Sequence, residues 1–191
     1  MPSSPHPHPA GDVSVRPAVA GDESAIAAVQ LGAWRQTYAG SLGSGALDLV
    51  DEVAVVARWR AAIAAPPAAT FHVLVAMAGP RLVGFASVAP VPAPPNAVDR
   101  TPGGVLLALE VAPGEQRAGH GSRLLAAAVD TLRSDGADQV ITWVADGDEA
   151  RVRFLSAAGL SPDGAVRELA SGPGPDGEQA VLHERRWGAS I

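Results

Sequence analysis

The chain has 191 residues, 47% of them hydrophobic but only 4% aromatic, and a formal net charge of -6. This length suits one domain with a substantial core, and the acidic balance argues against a nucleic-acid surface, which needs a basic stripe to neutralise phosphates. With no cysteine, disulfides, thiolate metal sites and a cysteine nucleophile are excluded.

Residues 1–12, M-P-S-S-P-H-P-H-P-A-G-D, are too proline-rich for helix or sheet and are expected to form a disordered tail. His6 and His8 lie in it, and a flexible segment makes a poor metal site. The domain is expected over 13–191. Val13 to Pro17 reads as a short strand. Asp22 is placed to cap a helix carrying Ile26, Val29, Ala33 and Trp34 on one face. A second helix is predicted from Asp51 to Ile63, with Val56, Trp59 and Ile63 on one side, Arg58 and Arg60 on the other, and Pro66-Pro67 as its stop. Phe71 to Met77 and Leu82 to Val88 alternate across Ala78-Gly79-Pro80-Arg81, a hairpin signal. From Pro90 to Gly104 there are five prolines and no periodicity; such a loop is expected to border an opening or to be a disordered excursion.

Val105 to Val111 is a nearly continuous apolar run interrupted by Glu110, as in an interior strand covered on both faces. From Ser122 the period becomes helical, with Leu124, Leu125, Ala128, Val129 and Leu132 on one stripe. Gln139 to Val144 reads as a strand, Glu149 to Ala158 as a helix stopped by Gly159, and Ala165 to Ala170 and Ala180 to Trp187 as two closing strands joined across Ser171 to Gly177. The predicted order is β-α-α-β-β-β-α-β-α-β-β.

Between the apolar strand and its helix stand Gly119 and Gly121. Such a loop aims free backbone N–H groups at one point, at the positive end of a helix dipole, and binds phosphate. A nucleoside-triphosphate loop would need a lysine after its glycines, and the chain has none. A dinucleotide fingerprint would need a third glycine, but Ser122, Arg123 and Leu124 follow Gly121.

Gln116-Arg117-Ala118-Gly119-His120-Gly121 instead resembles the Q/R-x-x-G-x-G/A pyrophosphate loop of the GNAT superfamily of acyl-CoA-dependent N-acyltransferases. Trp143-Val144, Asp148, Arg153-Phe154 and Ala158-Gly159-Leu160 are similar to its L-W-V…N…R-F-Y-E-x-x-G-F segment, with Asp148 for the usual Asn and Leu155 for the usual Tyr. Ala33-Trp34-Arg35-Gln36-Thr37-Tyr38-Ala39-Gly40 looks like the W-R-x-x-Y-x-G signature of a bacterial group in that superfamily, and Pro162-Asp163-Gly164-Ala165 with Glu184-Arg185-Arg186-Trp187 resembles its closing hairpin.

The resemblance implies an α/β (α+β) fold: a mixed, mostly antiparallel sheet of six to seven strands with helices on both faces, splayed between the fourth and fifth strands. Acetyl-CoA would be the co-substrate. Leu109 to Val111 would line its acetyl and pantetheine end, with the Val111 N–H toward the thioester carbonyl, and Gln116, Arg117, Ala118, Gly119, His120, Gly121 and Ser122 would hold the pyrophosphate. Asp148 would stand with them as a cofactor contact. Arg117, Arg123, Arg151 and Arg153 could gather around phosphate, or Arg123 and Arg151 could be solvated helix residues. His120 could touch the phosphates or lie exposed.

The acceptor would be a primary amine, whose ammonium form has a pKa of about 10.4, so freeing it near neutrality costs roughly 4 kcal/mol. A Glu that the group commonly places on the fourth strand is replaced by Val105. Glu110, the sole ionisable side chain in that run, is therefore the candidate base, through water. Alternation sets it on the opposite face from Leu109 and Val111, where it would pair with an Arg instead. Leu155 cannot protonate the leaving thiolate. Tyr38, the single tyrosine, is the candidate acid, against a role as a packed aromatic, and Ser156 is a weaker one.

The expected protein is a cytoplasmic, bacterial N-acetyltransferase acting on a small-molecule amine or a peptide N-terminus. It is expected to use no metal, nucleic acid or membrane, with a two-fold homodimer as the default oligomer. A GNAT-fold acyl-CoA sensor with little turnover is the alternative, motivated by Val105 and Leu155.

Overall fold

A computed structural model describes residues 13–38, 50–91, 103–173 and 179–191, with the side chains of 38, 170–173 and 179–180 excepted. The proposed tail and its two histidines, and residues 39–49, 92–102 and 174–178, lie outside it.

Seven strands form one sheet, ordered β1-β2-β3-β4-β5-β7-β6: β1 is Val13–Pro17, β2 His72–Ala78, β3 Arg81–Val91, β4 Gly103–Val111, β5 Gln139–Ala145, β6 Ser161–Pro173 and β7 Gln179–Ser190. All neighbours are antiparallel except β4 and β5. The helices are α1 (Glu23–Tyr38), α2 (Glu52–Ala64), α3 (His120–Ser134) and α4 (Glu149–Ala157).

Strand alternation divides the apolar residues between two cores. Val73, Val75 and Phe85 turn to one face and meet Ile26 and Val29 of α1, with Trp59 of α2 standing edge-on to Phe85 at 4.9 Å between ring centroids. Leu74, Ala76, Leu106 and Leu109 turn to the other face and meet Leu124, Leu125, Ala128 and Leu132 of α3 and Leu155 of α4. Helix α3 packs so closely that a Cβ on Gly104 would collide with the Leu132 side chain; glycine is required there for close approach.

The helix ends follow local chemistry. Asp51 accepts from the amides of Val53 and Ala54 and starts α2. Asp22 holds the corresponding place before α1, but its carboxylate serves Arg16 through two bonds of 2.7 and 3.0 Å and the Val19 amide, tying the helix start to β1 instead of capping its amides. Gly159, with φ of 89°, ends α4 as Leu160 N–H reaches back to the Leu155 carbonyl at 3.0 Å.

Strand limits depart from the sequence expectation as well. Pro90 and Val91 pair with Gly104 and Gly103, so part of the predicted loop is strand. The missing proline N–H costs no ladder bond, because β2 already ends opposite Val88. Strand β6 begins at Ser161, four residues early, through an irregularity between Pro162 and Val166 where Gly164 adopts φ of 91°.

Candidate active site

The parallel pair β4 and β5 is joined only at Gly103, Gly104 and Val105, opposite Gln139, Val140 and Ile141. Beyond that point the strands part. A β-bulge places Leu107 as an extra residue on β4, and bulges re-aim a strand. Further along, Ala112 N–H donates to the Val83 carbonyl at 2.8 Å; antiparallel alternation then directs Glu110 and Ala108 toward β3 and turns the backbone of Leu109 and Val111 toward the gap.

Side chains answer the orphaned carbonyls there. Thr142 Oγ1 donates to the Leu106 carbonyl at 2.9 Å, Arg151 Nη2 to that of Leu109 at 2.9 Å, and Gln116 Nε2 to that of Val111 at 3.3 Å. No acceptor among the described residues meets the Leu109 or Val111 N–H. On the β4 side the split edge therefore has these acceptors satisfied and its donors open, which selects for a ligand that brings carbonyl oxygens.

The open donors continue into the loop. After β4 comes a short 3-10 turn, Pro113–Glu115, and then Arg117 and Gly119 at positive φ of 67° and 83°. A left-handed arginine costs about 1 kcal/mol, and such turns point successive N–H groups to one side. Gly119 precedes α3 without any side-chain cap. The first helical bond is from Arg123 N–H to the Gly119 carbonyl, which leaves the amides of His120, Gly121 and Ser122 open at the positive end of the dipole.

A cleft of about 500 Å³ joins the two features, lined by Leu109, Val111, Gly119, Gly121, Ser122, Asp148 and Phe154 among others. Gly121 makes its floor: a Cβ there would lie 3.5 Å from the Phe154 ring. These donors and this cradle fit a diphosphate leading into a thin arm with amide and thioester carbonyls.

The four arginines named from sequence separate into two kinds. Arg153 is tied to Glu149, and Arg151 to Glu110 at 2.7 Å and Asp148 at 3.5 Å. Neither Arg117 nor Arg123 has a carboxylate partner among the described residues; Arg123 reaches only the Ala118 carbonyl, at 3.4 Å. Two uncommitted guanidiniums thus flank the loop. Asp148 caps α4 through the Arg151 amide at 3.0 Å, so its carboxylate performs structural work at the cleft wall.

Glu110 lies on the opposite face from Leu109 and Val111, paired with Arg151 but still lining the cleft. Burial pushes its carboxyl above the usual range; Arg151 opposes that shift and Asp148 adds to it. Tyr38 is the last residue of α1 and its side chain lies outside the description. Leu155 is a core residue, 1% exposed. His120 is buried on the core stripe of α3, not exposed, and its Nδ1 has no partner among the described residues. His72 and His183 meet Asp135 and Glu168.

Residues 34–160 match the sequence model of the acetyltransferase (GNAT) family. The chain belongs to the GNAT family. No curated protein matches its sequence. Among solved structures with this GNAT fold, the ribosomal-protein-alanine N-acetyltransferase of Brucella melitensis is 21% identical, with a TM-score of 0.66 and coverage of 93% of this chain and 99% of the other. The PaiA N-acetyltransferase of Thermoplasma acidophilum, in complex with coenzyme A, is 15% identical, with a TM-score of 0.61 over 94% and 99% of the two chains. The yncA protein of Salmonella typhimurium, with its cofactor acetyl-CoA, is 18% identical, with a TM-score of 0.61 over 93% of each. Such distances establish a shared fold. Among the described residues no helix of this GNAT protein is long and apolar enough to cross a membrane, and no group of three His, Cys, Asp or Glu could hold a metal.

Thr142 and Phe154 also belong to the site, although no functional signature in the sequence marks either. A polar residue inside Val140-Ile141-Thr142-Trp143-Val144 was the available signal for the first. Phe154 was visible only as a motif member.

Proposed function

We propose that the protein is an N-acetyltransferase that takes the acetyl group of acetyl-CoA and delivers it to a primary amine by direct attack. The observation that carries this reading is the continuity of open N–H donors from Leu109 and Val111, across the loop, to the uncapped start of α3. The solved relatives that hold coenzyme A or acetyl-CoA support it.

The thioester supplies the electrophilic carbonyl. Around it, Val111 N–H is the donor for a developing oxyanion, a role that needs no particular side chain. The amides of Gly119, His120, Gly121 and Ser122, with Gln116, Arg117 and Ala118, hold the diphosphate; Asp148 shapes the wall beside the arm. Glu110 accepts the amine's proton through water, and its raised pKa narrows the gap to that amine. Tyr38 is the candidate donor to the departing sulfur. A thiol of pKa about 8.5 leaves without much help, so Leu155 in the core is compatible with turnover. The acceptor is a small-molecule amine or a peptide N-terminus.

The ion pair that engages Glu110 favours a second reading, an acyl-CoA-binding protein with little turnover. Release of free thiol from acetyl-CoA, followed with a panel of amines and set beside calorimetric binding, separates the two. Turnover with any amine supports the enzyme; micromolar binding with no thiol release on the whole panel supports the sensor.

A further inference from the structure

Arg151 stands where the split meets the carboxylate. Its Nη2 lies 2.7 Å from Glu110 Oε1 and 2.9 Å from the Leu109 carbonyl oxygen. One nitrogen with two hydrogens thus serves adjacent residues whose side chains leave β4 on opposite faces. The guanidinium must therefore occupy the gap itself, at the level where β5 has withdrawn. The pair is largely buried, with 20% and 18% side-chain exposure for Arg151 and Glu110. Glu110 Oε2 has no partner among the described residues. Two carboxylates, Glu110 and Asp148, share this guanidinium, leaving one excess negative charge. The other charged groups on the cleft are Arg117 from the loop and Arg153, which is tied to Glu149; α1 contributes uncharged Thr37.

We propose that Arg151 is a positioning residue that anchors one oxygen of Glu110 across the split, so that the other oxygen faces the incoming amine. The proposal rests on the N-acetyltransferase reading. Without the anchor, a carboxylate on the far face of β4 has no bond that keeps it at the gap, and solvent competes for it. Arg151 also opposes the effect of burial on Glu110, so its removal drives the carboxyl further toward the neutral form.

The first arm of the test needs no turnover. Carboxyl-carbon NMR of glutamate-labelled protein, with Glu110→Gln assigning the resonance, gives the titration midpoint of Glu110 directly. Arg151→Met is expected to raise it by at least one pH unit, whereas Arg151→Lys holds it within half a unit of the parent. An unmoved midpoint in Arg151→Met overturns the proposal. Should that variant not fold, Arg151→Gln, which retains a donor for the Leu109 carbonyl but no charge, carries the same expectation.

The second arm is kinetic. Arg151→Met is expected to lower kcat at least tenfold while the KM for the amine moves less than threefold, with partial rescue by Arg151→Lys. In the Glu110→Gln background the same change is expected to lower kcat by less than twofold more. Multiplying losses overturn the proposal, since Arg151 would then act independently of Glu110. If Glu110→Gln leaves kcat intact while the midpoint still moves, the base assignment falls and the anchoring stands.

Discussion

Thr142 donates its hydroxyl hydrogen to the carbonyl oxygen of Leu106 at 2.9 Å, one residue beyond the last backbone pair of the two strands, Val105 with Ile141. A side chain takes over the ladder where the ladder ends. Thr142 is buried, so this bond satisfies a carbonyl that water reaches poorly. Replacing Thr142 by Val keeps the volume and orphans the acceptor; a loss of about 1–3 kcal/mol in urea unfolding is expected.

Gly121 tests the cleft without disturbing the fold. A Cβ there meets Phe154 at 3.5 Å and Val111 at 3.8 Å, ordinary contact distances, and the position is helical. Gly121→Ala is expected to leave the melting temperature unchanged or slightly raised while weakening acetyl-CoA binding at least tenfold in calorimetry, because the methyl group fills the cradle.

Arg117 should move stability and binding in opposite directions. Its φ of 67° is a conformation that glycine adopts without strain, so Arg117→Gly is expected to stabilise the chain by up to about 1 kcal/mol. The same change removes an uncommitted guanidinium beside the loop. Coenzyme A affinity should fall at least threefold, and more in low salt than in high.

Asp22 gives a pH signature. Its bonds with Arg16 and the Val19 amide hold its carboxyl below the usual range. A depressed native pKa contributes stability that is present above the unfolded value and lost as pH falls through the native one. Asp22→Asn is therefore expected to lower the melting temperature at pH 7 by a few degrees, on the order of 1 kcal/mol. The difference should vanish in acid, below the ordinary carboxylate range.

Much of this molecule was legible in sequence because its signals are periodic or conformational. The stripe Leu124, Leu125, Ala128 and Leu132 is buried as helical spacing predicts, and Gly119 takes the left-handed conformation that marks a loop entering a helix. The strand limits near Pro90 were not legible, since pairing there depends on Gly103 and Gly104 from the next strand. Nor was the partner of Glu110. Alternation gave its face and suggested an Arg, but which of the 14 arginines arrives depends on how α4 docks on the parted strands. The burial of His120 was hidden likewise, because a loop motif says nothing of which way the first helical residue points.

The central claim is that the open amides of the split and of the α3 start receive coenzyme A. Amide NMR during titration with coenzyme A tests it most directly. The account predicts saturable shifts concentrated at Val111, Gly119, Gly121 and Ser122. Saturation with those four amides unmoved, or no shift at millimolar coenzyme A, would contradict it.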